Sequence, residues 1–256
     1  TRAYDMVPDK RSSKKRETGM AEPLVLIPGM MCDARVFHDQ IAAFSNDICV
    51  TFAPVTQGER IEEIASNLLD QLPARFALAG LGFGAMVAME ILRRAPDRVT
   101  RLALISTNAL AETPQIAADR EAQIVAARSG RMREAMPSIA RTQDLARTEW
   151  SATARSLMSY MARDLGADVF VRQSRAMQRR RDQQSTLRKC KVPTLVLCGA
   201  HDAEMAVKHH NFIAELIPYA KLVVLESSGH MPTLEQPEDT TEALKEWMKQ
   251  PLVLRS

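Results

Sequence analysis

The sequence predicts an α/β protein: a mostly parallel sheet, helices on both of its faces, and an inserted helical cap. Three observations predict it. Short apolar runs alternate with helix-patterned segments from Pro23 onward, as strands joined by helical crossovers do. The runs are continuously apolar, as parallel strands covered on both faces must be. The alternation then stops between Leu110 and Lys189, where roughly 80 residues carry helical patterning and no good strand, too many for a plain loop.

The elements follow in order. Leu24–Ile27 is the first strand and ends on Pro28-Gly29. Ala34–Phe44 has helical periodicity, and Ile48–Phe52 is a second strand. Ile61–Leu72 is an amphipathic helix closed by Pro73, because proline cannot continue a helix. Phe76–Ala79 is a third strand that runs into the glycine-rich turn GLGFG. Ala85–Arg94 follows as a helix that stops before Pro96, and Val99–Ile105 is a fourth strand. After the cap come the strands Val192–Cys198 and Lys221–Leu225, with a helix around Val207–Ile217 between them. Glu238–Gln250 closes as a helix. The expected organisation is a disordered, charged tail over residues 1–20, a core from 21–109 and 190–256, and a helical cap over 110–189. Met20 would serve as an internal start.

The 256 residues suit one domain with an insertion. A hydrophobic fraction of 46% beside a charged fraction of 25% fits a globular chain rather than a disordered one. No apolar run approaches the roughly 20 residues of a membrane span, and no apolar stretch follows the polar start as a secretory leader requires. The four cysteines have neither paired nor finger-like spacing, so no metal site is expected. Cys49 and Cys198 fall in apolar runs and read as small hydrophobes. The expectation is a reduced, cytoplasmic protein with no cofactor, no nucleic-acid partner and no membrane contact. The net charge of +3 is unevenly spread. Residues 1–19 carry six Lys/Arg against three Asp/Glu, residues 109–189 fifteen against nine, and the remainder thirteen against nineteen. A basic cap on an acidic body would draw an anionic substrate. A solvated, arginine-rich helical face accounts for the same counts.

The turn GLGFG admits two readings. Gly80, Gly82 and Ala85 satisfy the dinucleotide fingerprint G-x-G-x-x-G/A, which would make a nucleotide-binding oxidoreductase. That fingerprint needs an acidic residue about 20 positions on, and the next strand ends in Ser106-Thr107-Asn108 without one. The other reading is a nucleophile elbow, G-x-S-x-G, between a strand and a helix. Gly80 and Gly84 are then the flanks that let helix and strand pack closely, and Gly82 occupies the nucleophile position. The central residue of such a turn is backbone-strained. Glycine adopts positive φ at little cost, so Gly82 leaves the fold intact and removes only the side chain.

The rest of the chain favours the elbow. Such a site needs a later acid, a histidine after the last strand and a second oxyanion donor near the first strand. LVLCGAHD puts Asp202 just past a strand end, with Glu204 as a nearby rival. LVVLESSGH puts His230 just past the last strand. LVLIPGMM ends on a Pro-Gly turn, where the amide of Met30 would join that of Phe83 as an oxyanion hole.

These segments resemble the α/β-hydrolase superfamily, in particular its small bacterial esterase and lactonase-like members, from about Pro23 to Met248. PGMMCDARVF is similar to their oxyanion loop. AGLGFGAMVAMEI is similar to an elbow AGxSxGxxVAxEI with one substitution, and PTLVLCGAHD and SSGHMPTLEQPE to the acid and histidine segments. The resemblance implies an α/β-hydrolase fold with a helical cap and a triad of position 82, Asp202 and His230. It implies cleavage of a carboxylic ester, lactone or thioester and leaves the small-molecule substrate open.

Its one departure is the missing nucleophile. Gly82 fits a deliberately inactivated variant. It also fits a natural pseudoenzyme or small-molecule binding protein on the same fold. In either case a water beside His230 could attack an activated ester by general-base catalysis.

Other residues read as bystanders. His201, His209 and His210 read as surface residues, since adjacent histidines cannot share one helical face. His38 reads as structural, and Asn108 closes an alternative acid position. Cys32 has no evident line to His230. Met132, Met136, Met158, Met161 and Met177 read as cap core that could also line an adaptable apolar pocket.

Overall fold

The structure is a computed structural model and describes residues 22–135 and 150–252. The expected tail over 1–20 and Met136 lie outside the described residues. Leu24–Ile27 (β1), Val50–Phe52 (β2), Phe76–Leu81 (β3), Val99–Ile105 (β4), Thr194–Gly199 (β5) and Ala220–Leu225 (β6) form one parallel sheet. Its order is β2-β1-β3-β4-β5-β6. The strand order reverses beside β1, and ligands of open α/β sheets bind off the carboxyl ends of the strands at such a switch point.

Alternate side chains of each strand feed two apolar layers, because successive residues of a strand face opposite ways. Val25, Ile27, Leu78, Leu102, Leu104 and Val196 pack on one face with α2 (Ile61–Leu69), α3 (Phe83–Arg94) and α8 (Val207–Leu216). Leu24, Leu26, Ala79, Ala103, Ile105 and Leu197 pack on the other with α1 (His38–Phe44) and α10 (Pro237–Lys249). The segment expected as one helix over Ala34–Phe44 is a 3-10 turn, Ala34–Phe37, followed by α1. The side chain of Asp33 starts that turn by accepting from the Arg35 amide. Cys49 is exposed rather than packed, because it leads into β2, the half-covered edge strand.

Between β4 and β5 lie α4 (Pro114–Arg128), α5 (Met132–Ala135), α6 (Trp150–Gln178) and α7 (Gln184–Arg188). Thr113 caps α4 through its side chain, and Pro114 opens it where no amide donor is needed. Gly166 breaks α6 (φ 79°, ψ 176°), so its two halves point differently. Ala154, Met158 and Met161 join the α1/α10 layer, while Met177 joins the α2/α3 layer. Those three methionines are buried, but in the layers of the sheet. Met132 packs against the insertion's own cluster of Ile124, Ala126, Ala127 and Val169–Val171, which also takes in Met31. Among the described residues no helix is long and apolar enough to cross a membrane.

Candidate active site

β3 runs to Leu81 and α3 starts at Phe83, so Gly82 makes the whole turn, at φ 53° and ψ −113°. Its amide donates to Ile105 O (2.8 Å), and its carbonyl accepts from the Thr107 hydroxyl (3.1 Å). The flanking glycines are there for space. A Cβ on Gly84 would lie 2.3 Å from Ile27 O, and one on Gly80 would lie 2.5 Å from Gly84 O. Position 82 is different. The nearest atoms a Cβ there would meet are Ser106 O at 3.8 Å, Gly29 Cα at 3.9 Å and His230 Nε2 at 3.9 Å, all ordinary contacts. A side chain would fit and would face the imidazole.

His230 sits in the loop between β6 and α9 (Pro232–Glu235), and buried Glu235 holds that loop by accepting the Gly229 and Met231 amides. A Cβ on Gly199 would lie 2.2 Å from Ser228 O, so the end of β5 touches the same loop directly. His230 Nδ1 meets Asp202 Oδ2 at 2.9 Å. The other oxygen of Asp202 accepts the Glu204 and Met205 amides at 3.0 and 2.7 Å. Burial alone would raise the Asp202 pKa, but His230, the Met205 amide and His210 together hold it below the usual carboxylate value. An ionised Asp202 fixes the proton on Nδ1 and turns the Nε2 lone pair toward Gly82. Glu204, the rival acid, stands on that other side, with Oε2 3.8 Å from Nε2.

The Pro-Gly turn completes the surround. Gly29 Cα would lie 3.9 Å from a Cβ at position 82, and Met30 is the next residue of this turn. The Met31 amide is committed to Gln173 Oε1 (2.9 Å), and Gln173 Nε2 donates to Val55 O (3.0 Å). Phe83 supplies the first amide of α3, which has no acceptor within its own helix and lies at the positive end of the helix dipole. Gln173 was missed in the sequence. A lone glutamine in the stretch FVRQSRAM carries no signal that it braces two loops.

Other expectations divide. His210 is fully buried, not on the surface, and its Nε2 accepts the Thr107 amide (2.9 Å). Burial lowers its pKa to about 4, which keeps the ring neutral, and α8 turns it inward with Ile213. His201 and His38 are exposed. Cys32 is buried, and desolvation and the charge of Asp33 push its thiol up to about 12, so it is no thiolate. Asn108 is occupied: it accepts from the Leu110 amide and donates to Met205 Sδ. Arg120, Arg175, Arg179, Arg180 and Arg181 of the insertion each meet a carboxylate. The dinucleotide alternative needs the strand order 3-2-1-4, which the sheet does not have. Among the described residues no cluster of three potential ligands could hold a metal.

Comparison with known proteins agrees with this fold. The model of the alpha/beta hydrolase family matches residues 24–243. The chain is 26% identical over 200 residues to a pimeloyl-[acyl-carrier protein] methyl ester esterase of Aromatoleum aromaticum, covering 72% of this chain and 78% of that one. It is 27% identical over 247 residues to the carboxylesterase YbfK of Bacillus subtilis, covering 85% and 77%. Among solved structures, a thermophilic esterase from Thermogutta terrifontis superimposes with a TM-score of 0.79 at 25% identity, over 91% of each chain. An enol-lactonase from Burkholderia xenovorans LB400 shares the fold at a TM-score of 0.80 and 21% identity, over 92% of this chain and 94% of that one.

Proposed function

The chain belongs to the alpha/beta hydrolase family, and on that premise we propose that its site cleaves a small carboxylic ester, lactone or thioester. Asp202 and His230 form the acid–base pair, and the Met30 and Phe83 amides are the oxyanion donors. The helices α4–α7 act as the cap. Gly82 stands where an esterase of this family carries its nucleophile. The observation that carries this reading is the direction of position 82: a Cβ there would lie 3.9 Å from His230 Nε2. One further bond brings a hydroxyl within hydrogen-bond reach of that nitrogen.

With Gly82 no acyl-enzyme forms at this position, and turnover is severely impaired. The route that remains uses water. His230 Nε2 removes a proton from a water molecule as its oxygen bonds to the acyl carbon. The carbonyl electrons move onto the oxygen, which the two amides hold. Collapse breaks the bond to the alcohol, and His230 returns the proton to the leaving oxygen. Arg120, Arg175, Arg179, Arg180 and Arg181 of the cap are engaged with carboxylates, so the reading does not call on them to bind an anionic substrate. Relatives named as esterases support the substrate class.

Gly82→Ser tests the reading. Restored hydrolysis of 4-nitrophenyl esters, together with labelling by a fluorophosphonate, is the expected outcome. A folded variant showing neither would leave a binding protein on the same fold. In the parent chain, slow ester hydrolysis should vanish in His230→Ala.

A further inference from the structure

We propose that Glu204 is a second catalytic carboxylate of this site, which with His230 holds the attacking water and aims it at the acyl carbon. The inference deepens the water-directed hydrolysis proposed above and rests on it.

The imidazole of His230 stands between two carboxylates: Asp202 Oδ2 is 2.9 Å from Nδ1, and Glu204 Oε2 is 3.8 Å from Nε2. The two acids are set differently. Asp202 is buried and spends its oxygens on His230 and on the Glu204 and Met205 amides, so it can only orient the ring. The Glu204 side chain is 40% exposed, and its Oε2 approaches the same nitrogen, Nε2, that lies 3.9 Å from where a Cβ on Gly82 would stand. Its backbone is pinned, because the Glu204 amide donates to Asp202 Oδ1 at 3.0 Å. Glu204 is therefore positioned by the same acid that orients the histidine.

Where position 82 carries a hydroxyl, that group is the partner of Nε2. Gly82 offers none. A water beside Nε2 has two hydrogens to place, and this site supplies two acceptors, Nε2 for one and Glu204 Oε2 for the other. Held so, the water presents a lone pair to the carbonyl carbon. Its first proton passes to Nε2 as the new C–O bond forms, and that proton later leaves with the alcohol. Glu204 takes no proton in this step; it accepts the water's second hydrogen bond and stabilises the transient imidazolium.

The charged and titratable groups facing this ring come from several elements. Asp202 and Glu204 lie after β5, and neutral His210 lies on α8. Glu235 lies beneath the loop, and Arg180 faces Glu204 from the cap.

Glu204→Gln keeps the shape and removes the charge. It is compared with the parent by NMR titration of the His230 imidazole and by hydrolysis of 4-nitrophenyl acetate against pH. The His230 midpoint should fall by about one pH unit, because a neighbouring carboxylate favours the charged ring. The acid limb of kcat/KM should move down with it, and the plateau kcat should drop about tenfold with KM little changed. An unmoved midpoint overturns the inference, and so does a moved midpoint with an unchanged plateau. If the parent shows no His230-dependent hydrolysis, this inference fails together with the water route it rests on, while Gly82→Ser decides the proposed function separately. If it does, and Glu204→Gln leaves that rate untouched, only this inference fails.

Discussion

Three glycines within five residues do two different jobs, and substitution separates them. Gly84 is needed for space, since a Cβ would sit 2.3 Å from Ile27 O, a backbone atom of a buried strand that cannot step aside. Gly84→Ala should destabilise by about 3 kcal/mol or more. Gly82 has room and only a strained conformation to fill, so Gly82→Ala should cost about 1–3 kcal/mol and leave the fold intact. Thermal melts of the two variants check the contrast; equal losses would contradict it. The repeated-glycine spacing made the turn legible in the sequence. The roles of Asp202 and Glu204 were less legible. They lie two residues apart past the same strand, and only the loop's path shows that Asp202 turns in to its own amides while Glu204 faces the far nitrogen.

At the scale of elements, what holds the site is a set of braces between segments distant in sequence. Gln173 of α6 ties the loop after β1 to the loop after β2. Gln173→Leu leaves the Met31 amide and the Val55 carbonyl buried without partners. It should cost about 2 kcal/mol in urea unfolding. In a Gly82→Ser background it should lower kcat more than it raises KM, because the neighbouring Met30 amide is the oxyanion donor we propose. A pure KM effect would place Gln173 in substrate binding instead. The histidines of α8 show why such braces escape the sequence. His209 and His210 are neighbours in a charged stretch, and only the packing of α8 shows that His210 is fully buried and reaches Thr107.

Over the whole molecule, one buried carboxylate links α3 to the segment that returns from the inserted helices toward β5. Glu90 of α3 accepts from Arg93, Arg94 and, across the chain, Gln183. Burial opposes its charge, yet these donors hold its pKa at about 2, against 4.5 for a free glutamate. Folded Glu90 therefore binds fewer protons than unfolded Glu90 between those values. Its stabilisation is full above about pH 4.5 and is lost as the pH falls toward 2. Allowing for solvent around the half-exposed Arg93 and Arg94, the term is about 2 kcal/mol. Glu90→Gln should lower stability at pH 7 by about that much and flatten its fall in acid. An unchanged slope of unfolding free energy against pH would show that Glu90 does not carry the effect.

The sequence by itself determined the alternating strands and helices, the site of the insertion, the turn at Gly82 and the strand ends that bear Asp202 and His230. These are local quantities: runs of apolar residues, glycine spacing and the residue after each strand follow from backbone sterics and periodicity. Tertiary structure alone decided which carboxylate takes which nitrogen of His230, that His210 is buried, and that Gln173 braces the Pro-Gly turn. Each of those contacts joins residues whose side chains become neighbours only through packing. Their distances and burial, and with them the pKa values, are set by the layers that close around them rather than by neighbours in the chain.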